Sequence, residues 1–168
     1  SKSSQLGKKI DFELCLVHDE IPEKYLLLLN EIGSHLLNNA IDHGVESPDE
    51  RMKRGKNESA KITISLSKTE NIVQFIVEDD GRGIDLTELS KIAIENGLIQ
   101  SDHKLSEKNV LDVIFVQGFS TSKAVSEISG RGVGLAAVKA LIKEASGKIE
   151  VETTYGMGTK FIIQLPLD

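Results

Sequence analysis

Residues 61–78 constrain the fold more than any other stretch of this chain. KITISLS (Lys61–Ser67) and IVQFIVE (Ile72–Glu78) each alternate apolar with polar side chains, and Thr69-Glu70-Asn71 turns between them. Period-two alternation is the mark of a half-buried strand, and so short a connection leaves an antiparallel hairpin as the natural geometry. The same signature returns at Lys148–Thr153 and Thr159–Leu165, around Tyr155-Gly156-Met157-Gly158, with Pro166 closing the last strand. A fifth alternating run covers Ile10–Val17. Helical periodicity marks Glu23–His43, Leu86–Asn96 and Val133–Ser146, and a shorter helix is expected over Glu107–Val116 with Ser106 as its N-cap. Gly97 and Gly147 follow two of these helices, where a C′ glycine belongs. Hairpins with helices between them predict a two-layer α/β sandwich: a mixed, mostly antiparallel sheet with helices on one face.

At 168 residues the chain is expected to form a single domain, 1–168, large enough to bury a core without staples. The net charge is −6 and the basic residues cluster only at RMKRGK (Arg51–Lys56), which argues against nucleic acid as the main ligand. Cys15 has no partner for an intrachain disulfide, which fits a reducing, cytoplasmic setting. It lies out of phase with Ile10, Phe12, Leu14 and Leu16 and reads as an inert thiol. The longest apolar run, Tyr25–Leu29, is far below the roughly 20 residues that span a bilayer, so no membrane insertion is expected. The chain carries no initiator Met or secretory signal, and is expected to be an excised domain.

On the first helix, at about 100° per residue, Glu31, His35, Asn38, Asn39 and Asp42 share one arc. Tyr25, Leu26, Leu29, Ile32, Leu36, Leu37 and Ala40 form the opposing core stripe. A polar arc is ordinarily a solvated face. Two consecutive asparagines, however, go against helix propensity. His35, Asn39 and Asp42 or His43 also recur at spacings that converge on one ligand. An Asn amide oxygen suits Mg²⁺ bound to nucleotide phosphates, which takes only one or two protein ligands.

Two glycine-rich loops follow. DDGRG (Asp79–Gly83) ends an apolar strand; its glycines permit close backbone approach, and a carboxylate there can accept from an exocyclic amine such as that of adenine. A polar turn explains the same residues. GRGVG (Gly130–Gly134) opens a helix, whose unpaired N–H groups and dipole favour an anion. Leu135 stands where the third glycine of a dinucleotide fingerprint would be, and no P-loop lysine is present. The insert between the loops, Ile84–Ser129, carries the polar run SDHKLSEKN and is a candidate lid over 84–129; an ordinary helical excursion is the alternative.

In this order the pieces resemble the GHKL (Bergerat-fold) ATP-binding domains of histidine kinases, DNA gyrase, mismatch-repair proteins and heat-shock ATPases, over nearly the whole chain. HLLNNAIDHGVESPDER, RGK, EDDGRGID, IAIENGLI, FVQGFST, SGRGVGLAAVK and GTKFIIQLPL are most similar to the catalytic domain of chemotaxis-type histidine kinases. The resemblance implies that His35, Asn39, Asp42 and His43 form the N box, with Asn39 holding Mg²⁺. It implies that Asp79 binds the adenine amine and that Gly81 and Gly83 shape its pocket. Phe119, Ser120 and Thr121 would end an ATP lid. Gly130, Arg131, Gly132, Val133 and Gly134 would wrap the phosphates, and Thr159 would support Asp79. Asn38 stands where these kinases commonly carry Arg, and Leu135-Ala136 where Met-Asp is usual.

The implied activity is transfer of the γ-phosphoryl group of Mg-ATP to a histidine on a separate phosphoacceptor domain. A response regulator would lie downstream and the full-length parent would be a dimer. His35 stands where the ATPase branches of the fold carry an acidic residue. It would orient the acceptor or take its proton. A hydrolase of the same fold and a catalytically inactive nucleotide-binding module are the competing classes.

Overall fold

The computed structural model describes residues 7–16, 20–100, 106–116 and 134–167. Five strands, β1 (Ile10–Leu16), β2 (Ala60–Lys68), β3 (Ile72–Asp79), β4 (Lys148–Thr154) and β5 (Gly158–Pro166), form one sheet in the order β1-β2-β3-β5-β4. β1 pairs with β2 in parallel; every other pair is antiparallel. Both expected hairpins are present. The Thr69 turn is tightened by its own hydroxyl, which accepts the Ile72 N–H at 3.2 Å.

Register places one apolar row across the covered face. Val73, Phe75 and Val77 on β3 face Leu165, Ile163 and Phe161 on β5, and Ile64 and Leu66 on β2 continue the row. The helices above it are α1 (Glu23–Asn39), α2 (Pro48–Lys53), α3 (Leu86–Glu95), α4 (Glu107–Asp112) and α5 (Gly134–Glu144). α1 packs against α5 and over β3. Its stripe of Tyr25, Leu29, Ile32, Leu36 and Ala40 is buried, joined by Val138 and Ile142 of α5. Leu26, expected in that stripe, is 47% exposed. Phe12, Leu14 and Leu16 share the covered face's register, yet are 52%, 62% and 56% exposed: among the described residues no helix packs closely on the edge strand.

The first helix ends earlier than its periodicity suggests. Ala40–Gly44 is a π turn, closed by the Val45 N–H donating to the Ala40 carbonyl at 2.8 Å. Single π turns favour functional positions because they swing side chains and carbonyls off the α-helical track. α2, which the sequence reading passed over as a basic cluster, is capped by the Ser47 hydroxyl and begins at Pro48.

Within the span read as a lid, α3 and α4 are folded into the core through Leu89, Ala93, Val110 and Leu111, followed by Val113, Ile114 and Phe115 of a 3₁₀ turn. Buried apolar side chains hold 86–95 and 107–115 in place, and the rest of that span that is neither helix nor its immediate flank lies outside the described residues.

Candidate nucleotide site

Asp79 is built by strand alternation. Val73, Phe75, Val77 and Asp79 occupy successive inward positions of β3, so the last of four buried side chains is a carboxylate rather than a methyl group. It is 8% exposed, opposite Thr159 in the register with β5. Burial pushes its pKa up to about 6. The backbone N–H of Gly81, donating to Asp79 Oδ1 at 2.9 Å, and that of Thr159 resist that rise, while the charges of Asp80 and Glu46 add to it. At neutral pH the group is thus an ionised acceptor in a poorly solvated place, held by the backbone N–H groups of Gly81 and Thr159. A carboxylate keeps lone pairs beyond two such bonds, and an amine supplied by a ligand is a donor suited to them.

The cleft around it measures about 460 Å³ and is lined by Asn39, Asp42, His43 and Gly44 from the end of α1 and the π turn. Arg82, Gly83, Ile84, Asp85, Glu88 and Leu89 line it from the Asp-Gly loop and α3, with Ile114, Leu135, Tyr155, Thr159 and Phe161 closing it. The apolar part, Ile84, Leu89, Ile114, Leu135 and Phe161, surrounds the region of Asp79 and suits a flat heteroaromatic ring. The volume and the mix of apolar walls with a few convergent polar groups are those of a small-molecule site.

Gly81 is required by contact rather than by conformation. A Cβ there would stand 2.1 Å from the Gly44 carbonyl oxygen. The Asp-Gly loop thus lies directly on the π turn, where the same carbonyl accepts the Arg82 N–H at 2.8 Å. Gly83 passes over the Thr154 carbonyl with φ of +71°. Thr159 touches the Thr153 hydroxyl at 3.0 Å, and Thr153 also accepts the Ile84 N–H at 2.9 Å, fixing the loop to the β4–β5 hairpin.

Of the residues singled out from the sequence, the structure brings Asn39, Asp42, His43, Asp79, Gly83 and Thr159 to one cleft, with Gly81 behind Asp79. His35 sits one helical turn before Asn39, half-buried, and does not line the cleft. Gly134 begins α5. Phe119, Ser120, Thr121, Gly130, Arg131, Gly132 and Val133 lie outside the described residues. Tyr155, Glu88 and Asp85 are additions. Asp85 caps α3 by accepting from the Thr87 and Glu88 N–H groups, a role its position before an apolar-periodic run signals. Nothing in the local sequence marks Tyr155, which reaches the cleft from the far hairpin.

Electrostatics of the described lining are acidic: Asp42, Asp79, Asp85 and Glu88 face one permanent cation, Arg82, which also pairs with Glu50 at 3.6 Å. A polyphosphate entering such a cleft needs a divalent cation between it and the carboxylates. Among the described residues no three His, Cys, Asp or Glu side chains converge as a metal cage. Nucleotide-borne Mg²⁺ does not need one, and the Asn39 amide with one neighbouring carboxylate fits its demand.

Residues 26–168 match the family of histidine kinase-, DNA gyrase B-, and HSP90-like ATPases. The chain is 38% identical to the chemotaxis protein CheA of Bacillus subtilis, over 97% of its own length and 25% of that protein. With CheA of Borreliella burgdorferi it shares 37%, over 98% of the chain and 19% of that protein. It thus spans about a quarter or less of these relatives' length. Its fold is that of the histidine kinase domain of the Erythrobacter litoralis EL346 blue-light activated kinase. The TM-score is 0.56 at 17% identity, covering 99% of this chain and 56% of that one. Fold, cleft and sequence agree: the chain belongs to the histidine kinase-, DNA gyrase B- and HSP90-like ATPase family.

Proposed function

We propose that this domain binds Mg-ATP and transfers its γ-phosphoryl group to a histidine of a separate phosphoacceptor domain, in the manner of a chemotaxis kinase. A response regulator would then receive the group. The observation that carries the reading is the buried Asp79 carboxylate, its pKa raised by burial, in an apolar-walled cleft. Relatives named chemotaxis protein CheA, at 36–40% identity, support the reaction class.

In this reading the adenine ring enters between Ile84, Leu89 and Phe161 and donates its amine to Asp79. Guanine would turn a carbonyl toward the same carboxylate and be rejected. Asn39 and Asp42 at the π turn supply the oxygen atoms for Mg²⁺, which neutralises phosphate charge when bound. His35, a turn behind Asn39, positions the incoming imidazole or takes its proton. Phosphoryl transfer to a neutral imidazole needs alignment and charge neutralisation more than a strong base, so an acid-rich cleft without a general-base carboxylate at position 35 fits kinase chemistry. Phe119, Ser120, Thr121 and the loop from Gly130 to Gly134 complete the phosphate side in this proposal.

Transfer is tested by incubating the domain with γ-labelled ATP, Mg²⁺ and the phosphoacceptor domain of its own parent protein. The expected product is acid-labile and alkali-stable, as a phosphoramidate is. Fast hydrolysis with an unlabelled acceptor would make the domain an ATPase instead, and tight binding with neither activity would make it a regulatory module.

A further inference from the structure

Next to the cleft, and contributing nothing to its lining, lies a buried ionic cluster. Glu46 is 0% and Arg51 1% exposed. Arg51 Nη1 donates to Glu46 Oε1 at 2.9 Å and Lys56 Nζ to Glu46 Oε2 at 2.6 Å. Burial alone would push the Glu46 carboxyl up. The Lys56 hydrogen bond, with the Lys56 and Arg51 charges, outweighs it and holds the group below the usual carboxylate range.

The cluster grips the Asp-Gly loop. The Asp80 carbonyl accepts from Arg51 Nη1 at 3.2 Å and from Lys56 Nζ at 3.1 Å, and the Gly81 carbonyl from Lys56 at 2.8 Å. The Asp80 carboxylate is held by Arg51 Nη2 at 3.1 Å and by the Lys61 N–H at 2.9 Å. One peptide plane gives this grip a purpose. The Asp80 carbonyl and the Gly81 N–H belong to the same trans, planar unit and point in opposite directions. Holding the carbonyl toward Arg51 and Lys56 therefore aims the Gly81 N–H at Asp79 Oδ1, where it is found. Together with the Thr159 N–H, that bond sets the plane of the Asp79 carboxylate, whose remaining lone pairs can accept from a ligand.

We propose that Lys56 and Arg51, organised by Glu46, are positioning residues for nucleobase recognition: they orient the Asp79 carboxylate through the Asp80–Gly81 peptide. This rests on Asp79 being the acceptor of the adenine amine. Nothing in the cluster touches the nucleotide, so its effect must appear as selectivity for the amine. A loss confined to stability would instead weaken all nucleotides alike.

The test compares ATP with purine riboside triphosphate, which lacks the amine, by calorimetry on the folded domain. In Lys56→Met, ATP affinity is expected to fall about tenfold while affinity for the amine-free analogue changes less than about twofold. Lys56→Arg, which retains cation and donors, should restore most of the preference. If Lys56→Met does not fold, Lys56→Gln, isosteric in its stem and shorter in reach, carries the same expectation. Equal losses for both nucleotides would overturn the proposal. Asp79→Asn is the control for the underlying reading. If it keeps full preference for ATP, the adenine assignment itself fails. If it loses the preference while Lys56→Met keeps it, only the positioning role fails.

Discussion

The centre of the sheet and its β1 edge use the same sequence device to opposite effect. β3 and β1 both alternate apolar and polar residues. On β3 the apolar set is buried under α1 and ends in Asp79, while on β1 Phe12, Leu14 and Leu16 stay more than half exposed. The difference is not in the strands but in what lies above them. Apolar alternation becomes stability only where another layer covers it, and a carboxylate becomes a recognition group only where the same layer strips its water. Charges follow the same division: Glu13–Lys61 at the edge is an exposed pair, whereas Glu46–Arg51 near the centre is buried and bonded.

Breaking the buried pair should have the largest effect. Glu46→Ala leaves Lys56 without its carboxylate partner and Arg51 with the half-exposed Asp80 carboxylate alone, and is expected to cost about 3–5 kcal/mol in urea unfolding. Removing Glu13 from the edge pair should be within error of zero. Next comes the core under α1. Leu36→Ala, at a position 1% exposed, should lower stability by about 3 kcal/mol, while Leu14→Ala on β1 should cost below about 1 kcal/mol.

Asp79 sharpens the contrast from the other side. Its folded pKa, about 6, lies above the 3.8 of an ordinary aspartate. The folded state therefore holds this proton where the unfolded chain has released it. The group's contribution is fully favourable below about pH 4 and is lost as pH rises through 6. At pH 7 the ionised carboxylate is a penalty, so Asp79→Asn should raise stability by about 2 kcal/mol while lowering ATP affinity about ten- to a hundredfold. Glu46, held below its ordinary range, runs the opposite way: its contribution is present at neutral pH and fades on acidification. A smaller effect follows for binding. An adenine amine donating to Asp79, as proposed, would favour its ionised form, so ATP binding near pH 6 should release part of a proton, seen as a binding enthalpy that varies with buffer ionisation heat. Buffer-independent enthalpy would separate Asp79 from the nucleotide.

Much of this was legible in the residues. Alternation located all five strands to within one residue at most ends, and continuing it past Val77 places Asp79 inward and Asp80 outward. The glycines of DDGRG suggest close approach of the backbone to a ligand, whereas the close approach that requires Gly81 is to the Gly44 carbonyl. What stayed hidden depends on partners distant in sequence. RMKRGK reads from the sequence only as a basic cluster, yet Arg51 and Lys56 bond inward to Glu46 and the Asp80–Gly81 carbonyls. Leu26 fits the helical stripe, yet stands 47% exposed. The π turn has no local signature. At the end of α5 it is Ser146, with φ of 58°, that takes the left-handed position expected of Gly147. That glycine is needed because a Cβ would meet the Gln164 carbonyl at 2.6 Å.

Strand order has a consequence for how the chain is made. β3 finds its second partner in β5, at the far end of the sequence, while β2 pairs with it at once. During synthesis the β1-β2-β3 piece therefore emerges with the edge that carries Val73, Phe75 and Val77 open, and it stays open until Gly158–Pro166 has left the ribosome. An unpaired, apolar edge is a template for joining other nascent chains. A ribosome stalled after α4 should thus yield an aggregation-prone, chaperone-dependent product, and the domain should become self-sufficient only when its last strand is available.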